Sequence, residues 1–351
     1  MNPLESQLDY PFGARLPAPA QRIEVAPGIF WVRMPLPFEL DHINLYLLRD
    51  DLGGDGWTVV DCGVATQATR DLWDRIFADG LDGLPVRRVL CTHTHPDHVG
   101  LAHMLCKRFD APLWMTLGEY AMGRVWSATL PGADGAADAD HFRRHGIPRG
   151  PGLEALRHRG GRYFSTLVPA MPLAFHRIRE HDTIEIGGRR WRVIVGIGHS
   201  PEHATLYCDE DSLMLSGDMV LPRISTNVSV FELEPESNPV AWYLSSLEKF
   251  EGCREDTLVL PSHGRPFRNL HVRLRQLREH HAARLDEVLV ACRERPHTAA
   301  DILPIMFKRQ LDTHQSSFAM GESLAHLNAL WFDGRLERVV DDDGVIRFRA
   351  R

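Results

Sequence analysis

Apolar and alternating runs separated by amphipathic stretches dominate the first part of the chain. Three short runs predict buried strands, at 57–63, 87–92 and 112–116. Residues 65–79 carry apolar side chains at helical spacing, and the pattern over 97–109 also predicts a helix. Strands that alternate with helices in this way are typical of an α/β layered domain.

The pattern changes between about 117 and 182, where helical pieces are separated by Pro- and Gly-rich stretches and no strand is evident. This segment is predicted to be a helical insertion. Strands resume after it, and the runs that indicate them begin at residues 182, 191, 204, 212 and 257. A helix over 238–250 is predicted before the last of these strands.

The remaining residues differ in composition from the rest. A long helical stretch at 268–294 precedes a second helix, for which Thr298 is a plausible N-cap, and a third helix at about 316–332. Two alternating runs around an Asp-Gly turn then predict a hairpin, so the whole segment resembles a winged helix. We therefore expect a larger domain over 1–266, which contains the insertion at 117–182, and a small C-terminal domain over 267–351.

Composition and charge exclude several classes of protein. The chain has 351 residues, 44% hydrophobic and 25% charged, which is unlike a disordered or low-complexity protein. Its net charge of −7 disfavours binding to nucleic acid or to an anionic membrane. No run of about 18 apolar residues predicts a membrane span, and the N-terminus lacks the pattern of a secretory signal. Six scattered cysteines without a CxxC pair favour reduced thiols, so we expect a cytoplasmic protein.

Histidine is unusually frequent, with 19 residues, and it is the commonest metal ligand in proteins. The segment CTHTHPDHVG at 91–100 crowds four residues of ligand type between a predicted strand and a predicted helix: His93, His95, Asp97 and His98. The HxH pair can face one cation, while the Asp-His pair can reach a second point a few ångströms away. A solvated His-rich turn is the alternative, but it would not require so specific a spacing.

Three further residues of ligand type each follow a predicted strand: His199, Asp218 and His263. Taken singly, each has an ordinary structural interpretation. Asp218 could cap a turn, and His263 could be a buried histidine with satisfied hydrogen bonds. Taken together with the HxHxDH segment, they predict that all seven residues belong to the same metal centre.

The order and context of these motifs resemble those of the metallo-β-lactamase superfamily over roughly residues 20–266. The resemblance implies an α/β fold of four αββα layers, with the site at one edge of two sheets. It assigns His93, His95 and His199 to a first metal, Asp97, His98 and His263 to a second, and Asp218 to the bridge between them. Asp61, which ends an earlier strand, matches a residue that orients ligands.

Two cations held in this way favour hydrolysis by a metal-bridging hydroxide, with Asp97 orienting the nucleophile or handling its proton. Zinc is expected first, although mixed His and carboxylate ligation also suits iron or manganese. Asp218 at the bridge resembles the glyoxalase II, lactonase and nuclease branches rather than the branches that hydrolyse β-lactams. We therefore expect an ester, thioester or lactone-like small molecule as substrate. The alternatives are an endoribonuclease or phosphodiesterase with the same metals, and a non-catalytic metal-binding regulator.

The C-terminal segment over about 280–351 resembles the β-lactamase-associated winged helix of some of these hydrolases. Winged helices often bind nucleic acid, but residues 267–351 carry 14 basic and 12 acidic residues, a net charge of only +2. The expected wing contains three consecutive acids, Asp341 to Asp343, whereas a wing that follows phosphates is normally basic. A packing or dimerisation domain is the better interpretation. The oligomeric state stays open, with a homodimer as the first candidate.

Residues around the motif are candidates for contact with substrate. Alternation along the strand puts His42 and Asn44 on one face, either as a rim of the active site or as a polar edge against loops. His203 could be a proton shuttle or substrate contact at the pocket mouth, or an ordinary turn residue. The insertion is expected to cover the site, where it would either contact an acyl substrate such as a coenzyme A thioester or serve only as a helical cover.

Overall fold

The computed structural model describes residues 2–128, 135–160, 163–311 and 313–351. The strands are β1 (Ile23–Ala26), β2 (Ile29–Pro35), β3 (His42–Asp50), β4 (Gly56–Val60), β5 (Val86–Leu90), β6 (Leu113–Met115), β7 (His176–Arg177), β8 (Thr183–Ile186), β9 (Arg189–Gly196), β10 (His203–Cys208), β11 (Leu213–Gly217), β12 (Leu258–Pro261), β13 (Leu336–Val340) and β14 (Ile346–Ala350). The α-helices are α1 (Gln67–Arg75), α2 (Pro96–Val99), α3 (Ala102–Phe109), α4 (Leu117–Ser127), α5 (Ala136–Arg144), α6 (Pro151–Gly160), α7 (Tyr163–Leu167), α8 (Pro239–Glu248), α9 (Leu270–Glu294), α10 (Ala299–Met306) and α11 (Thr313–Phe332).

Two sheets form the centre of the molecule. The first has seven strands in the order β1 to β7, and the second has five in the order β12-β11-β10-β9-β8. The backbone links the two sheets at the edge where their strands end. There, Asn44 N–H donates to Ser262 O over 2.7 Å, and Ala204 N–H donates to Thr92 O over 2.8 Å.

Apolar side chains fill the space on both faces of each sheet. Trp31 of the first sheet and Trp191 of the second belong to the core between the sheets. Trp73 of α1 and Leu105 of α3 cover the outer face of the first sheet. Tyr243 of α8 lies in the core on the outer face of the second sheet. The expected four-layer αββα sandwich is confirmed, because burial of one face per helix and both faces per sheet gives this order of layers.

The helix expected over 97–109 is in fact two helices, α2 and α3. Leu101 N–H donates to Gly63 O over 3.2 Å instead of continuing the hydrogen bonds of α2. Gly100 packs so closely at this point that a Cβ there would lie 2.7 Å from Gly63 O. The break therefore follows from the contact between this segment and the loop after β4.

The insertion is helical, as expected, but it also contains one short strand. Its described residues form α4 to α7, and the predictions for 129–134 and 161–162 lie outside the described residues. β7 pairs in parallel with β6, with His176 opposite Trp114. The expectation of no strand in this segment was therefore wrong. A two-residue strand leaves no alternating pattern from which it could be predicted.

The C-terminal residues form α9, α10, α11 and the β13-β14 hairpin, as the sequence pattern predicts. Thr298 caps α10 through a capping box with Asp301. Leu277 of α9 and Leu324 of α11 belong to the same hydrophobic core as Tyr243. The C-terminal helices thus share with α8 the core on the outer face of the second sheet. Among the described residues, no helix is long and apolar enough to cross a membrane.

Candidate metal centre

The seven predicted ligands come together at the edge where strands of both sheets end. The loop after β5 carries His93 and His95, and α2 carries Asp97 and His98. The other three follow strands of the second sheet: His199 after β9, Asp218 after β11 and His263 after β12. Short loops after packed strands hold side chains rigidly, which suits a site that must keep its geometry.

The first group of ligand atoms belongs to His93, His95, His199 and Asp218. His93 Nε2 lies 2.9 Å from His95 Nδ1 and 3.2 Å from His199 Nε2. The Oδ2 atom of Asp218 is 3.4 Å from His199 Nε2. Four N and O donor atoms at these separations can surround one cation, as the donors of a tetrahedral zinc site do.

The second group belongs to Asp97, His98 and His263. Asp97 Oδ2 lies 3.7 Å from His98 Nε2 and 3.4 Å from His263 Nε2. The Oδ1 atom of Asp218 is 3.6 Å from His98 Nε2 and 3.5 Å from His263 Nε2. Asp218 therefore turns one carboxylate oxygen toward each group, as a bridging residue must.

Hydrogen bonds from the outer nitrogens fix the orientation of two imidazoles beside Asp61. His98 Nδ1 lies 2.8 Å from Asp61 Oδ2, and a carboxylate oxygen can only accept, so Nδ1 carries the proton. Thr92 Oγ1 lies 3.0 Å from His93 Nδ1 and 3.0 Å from Asp61 Oδ2, so it can accept from the former and donate to the latter. In both rings this leaves the Nε2 lone pair free to face the site.

Backbone carbonyl oxygens orient two other imidazoles. His199 Nδ1 donates to Asn227 O over 2.8 Å, and His263 Nδ1 donates to His42 O over 2.8 Å. A carbonyl oxygen accepts only, so these contacts place a proton on Nδ1 and turn Nε2 toward the site. Four of the five predicted imidazole ligands are thus oriented by their surroundings: His93, His98, His199 and His263.

The chemistry of the centre fits divalent cations. The buried atoms His98 Nε2 and Asp218 Oδ1 have no hydrogen-bond partner among the described residues, which is costly unless a ligand satisfies them. Burial lowers the pKa of His263, but Asp218 and Asp97 outweigh this effect and raise it to about 10. A set of imidazole and carboxylate donors is the one that zinc, iron and manganese accept. The predicted residues would hold two such ions.

His203, for which the sequence left a place at the pocket mouth and an ordinary turn residue open, lies behind the site. It is fully buried, and its Nε2 accepts the backbone N–H of Asp218 over 3.0 Å. Gly217 has a φ of 51°, and a Cβ at this position would lie 2.3 Å from His203 Nε2. His203 therefore positions Asp218, and the glycine provides the space that this contact needs.

Asn44 and His42 hold the loop that carries His263. The Asn44 side chain is 1% exposed and donates to Pro261 O and Gly264 O over 2.9 and 3.0 Å. His42 Nε2 accepts the backbone N–H of Gly264 over 2.9 Å. Of the two interpretations offered by the sequence, the contacts of Asn44 match a polar edge against loops, because a buried side chain with these partners does not reach substrate.

Glu119 of α4 was not identified from the sequence. It is fully buried, and its carboxylate accepts Thr94 N–H over 2.9 Å, Ser200 Oγ–H over 2.6 Å and Glu202 N–H over 2.8 Å. It therefore ties the loop with His93 and His95 to the loop with His199. A glutamate in the first turn of a predicted helix is ordinary, so no sequence signal singled it out.

A cavity of about 380 Å³ opens beside the first group of ligands. Its wall includes His95 and His199, and apolar side chains supply most of the remainder: Met122, Trp126, Ile197, Pro201, Phe231, Leu233, Pro239 and Trp242. Within the described part of the chain, no lysine or arginine lines this cavity. Met122 and Trp126 come from α4, so the insertion forms one wall, as expected of a cover.

Comparisons with family models and with curated proteins find matches over most of this chain. Residues 39–263 match the family model described as the metallo-beta-lactamase superfamily, and residues 285–351 match the metallo-beta-lactamase-like C-terminal domain. A Bacillus subtilis protein named "Probable metallo-hydrolase YqjP" is 25% identical over 85% of this chain and 91% of its own length.

Solved structures show the same relationship. A beta-lactamase domain protein from Burkholderia ambifaria is 56% identical, covers 100% of both chains and superposes with a TM-score of 0.94. A metallo-beta-lactamase family protein from Thermus thermophilus is 29% identical, with a TM-score of 0.77 over 93% of this chain and 100% of its own.

Proposed function

This chain belongs to the metallo-β-lactamase superfamily, whose members are metal-dependent hydrolases, and we propose that it cleaves a small ester, thioester or lactone that carries an apolar group. In this proposal, His93, His95 and His199 bind the first divalent cation, and Asp97, His98 and His263 bind the second. Asp218 binds both. Zinc is the expected metal, with iron and manganese as alternatives.

The single observation that carries the choice of substrate is the apolar cavity beside His95 and His199. Its mostly aliphatic and aromatic wall favours an acyl or alkyl group. A polyanionic RNA strand needs basic side chains along its path. Among the described residues that line this cavity, the acidic and basic side chains are represented by Glu234 alone.

Each part of the centre has a role in hydrolysis. When bound, divalent cations polarise the scissile carbonyl and lower the pKa of a water molecule. Asp218, backed by His203, holds the two halves of the site together. The side chain of Asp97 is 17% exposed, more than the 10% of Asp218, so it can meet an incoming water and take its proton. The apolar wall excludes water from the acyl side and orients the substrate.

A substrate panel tests this proposal. The protein is reconstituted with Zn²⁺, Mn²⁺ or Fe²⁺ and given a medium-chain acyl thioester, an ester and a lactone, together with bis-p-nitrophenyl phosphate and single-stranded RNA. We expect the highest kcat/KM on an acyl substrate, by at least about a hundredfold over the phosphodiesters. Faster cleavage of RNA or of the phosphodiester would contradict the proposal and support the nuclease alternative. A His95→Ala variant is the control, and it should lose activity on every substrate.

A further inference from the structure

The loop between β11 and α8 links the metal centre to the C-terminal helices. We refer to residues 219–230 as the 219–230 loop. Its residue Asn227 supplies the carbonyl oxygen that accepts the Nδ1–H of His199 over 2.8 Å. Because this hydrogen bond sets the rotation of the His199 ring, whatever holds the loop also holds a proposed ligand.

Helix α9 holds the first half of the 219–230 loop. Arg273 of α9 is 3% exposed and donates from Nε to Leu221 O over 2.6 Å and from Nη2 to Ile224 O over 2.8 Å. A buried guanidinium that donates to two carbonyl oxygens fixes both of them, because leaving either donor unpaired there is costly.

Helix α11 holds the second half of the loop. Glu322 Oε2 accepts from Asn227 Nδ2 over 3.4 Å, and Gly321 O accepts from Val230 N–H over 3.1 Å. Inside the loop, Ser229 Oγ donates to Asn227 Oδ1 over 2.7 Å. Both ends of the Asn227 amide are thereby engaged, so its backbone carbonyl cannot turn independently of α11.

The approach of α11 to the loop depends on a glycine. A Cβ on Gly321 would lie 2.8 Å from the Cβ of Ser229 and 3.2 Å from Val230 O. Only a residue without a side chain therefore allows α11 to bond to the loop at this distance.

We propose that α9 and α11 position His199 for its cation, and that Glu322 is a positioning residue that acts through Asn227. The C-terminal region is then a part of the metal centre rather than an independent attachment. This inference rests on the ligand set proposed above, since it needs His199 to be a ligand.

Binding of Co²⁺ to the full chain tests this inference. Visible absorption of Co²⁺ reports the ligand geometry, and competition with a chelator gives the affinity of each ion. Glu322→Ala should lower the affinity for one of the two Co²⁺ ions by roughly tenfold, which is the low end of the effect of losing support for a ligand. It should also shift the visible absorption of that ion. Glu322→Gln keeps an acceptor for Asn227, so both its Co²⁺ affinity and its absorption should match those of the wild type. Ser323→Ala, a buried neighbour on α11, should match the wild type.

A second variant separates positioning from folding. Gly321→Ala favours the helical conformation of α11, yet its Cβ must displace Ser229 and Val230. It should therefore also lower the affinity for one Co²⁺ ion. This variant replaces Glu322→Ala in the test if Glu322→Ala does not fold. Unchanged Co²⁺ affinity and absorption in Glu322→Ala or, if that variant does not fold, in Gly321→Ala would overturn the inference. Failure of the ligand set itself is distinct, because His199→Ala would then bind two Co²⁺ ions as the wild type does.

Discussion

The Nδ1–H of His98 donates to Oδ2 of Asp61 over 2.8 Å, and Asp61 makes this contact from a left-handed backbone with a φ of 61°. The same carboxylate accepts the backbone N–H of Thr92 over 2.8 Å. A strained conformation at a non-glycine residue persists only where its surroundings enforce it. In this conformation the Asp61 carboxylate contacts His98 directly and reaches His93 through the hydroxyl group of Thr92.

Asp61→Asn should weaken binding of the second cation. Asparagine tolerates the left-handed backbone, but its amide NH2 group would face a donor in place of one carboxylate oxygen. We expect the affinity for one of two Zn²⁺ ions to fall by about 10- to 100-fold, as measured by competition with a chelator. Asp110→Asn, at another left-handed aspartate with a φ of 52°, is the matched control and should bind both ions normally.

Substrate preference should follow the length of the apolar group. Each methylene buried in the cavity contributes about 0.8 kcal/mol, so kcat/KM should rise about fourfold per added carbon until the cavity is full. Phe231→Ala should flatten this dependence, because Phe231 lines the cavity. Phe332→Ala removes an exposed ring outside the cavity and should leave the slope unchanged. A slope that is the same in both variants would argue against acyl binding in this cavity.

The free energy of unfolding should fall as the pH rises, because of a carboxyl pair between the insertion and the segment that lines the cavity. The pair consists of Asp138 and Glu232. Burial, and then the hydrogen bond and charge of Asp138 on α5, raise the pKa of Glu232 to about 8. Because the folded pKa lies above the unfolded value of about 4.5, the contribution is present at low pH and is lost between about pH 4.5 and 8.

The variant Glu232→Gln tests that contribution, since glutamine mimics the protonated form. Urea unfolding at pH 5 and pH 9 should show the wild type losing on the order of 2 kcal/mol relative to this variant. The exposed Glu234→Gln is the control and should change in parallel with the wild type. If all three proteins respond to pH equally, the Asp138–Glu232 pair has no such role.

The sequence singles out the candidate ligands because their signal is local. His93, His95, Asp97 and His98 fall within six residues, and three further candidates each follow a strand whose apolar run is visible: His199, Asp218 and His263. Most of the strands and helices and the C-terminal hairpin also follow from local patterns, whereas β7 and the break between α2 and α3 do not. The family resemblance then supplied the arrangement of layers, which local patterns do not contain.

The residues that support the centre could not be predicted in the same way. Glu119 meets Ser200 across 81 positions, and Asn227 meets Glu322 across 95. Such contacts depend on the packing of distant segments and leave no spacing in the sequence. The role of His203 stayed open between the pocket mouth and an ordinary turn for the same reason, since only the packed structure shows that it faces the backbone of Asp218.

The central claim is a two-cation hydrolytic centre, and an activity titration tests it most directly. The metal-free protein is titrated with Zn²⁺ while hydrolysis of the best acyl substrate is followed, and metal content is measured in parallel. We predict that activity reaches its maximum only at two equivalents of Zn²⁺ per chain, and that Asp218→Ala binds neither ion tightly and stays inactive. Full activity without metal or at one equivalent, or an active Asp218→Ala variant, would contradict the account.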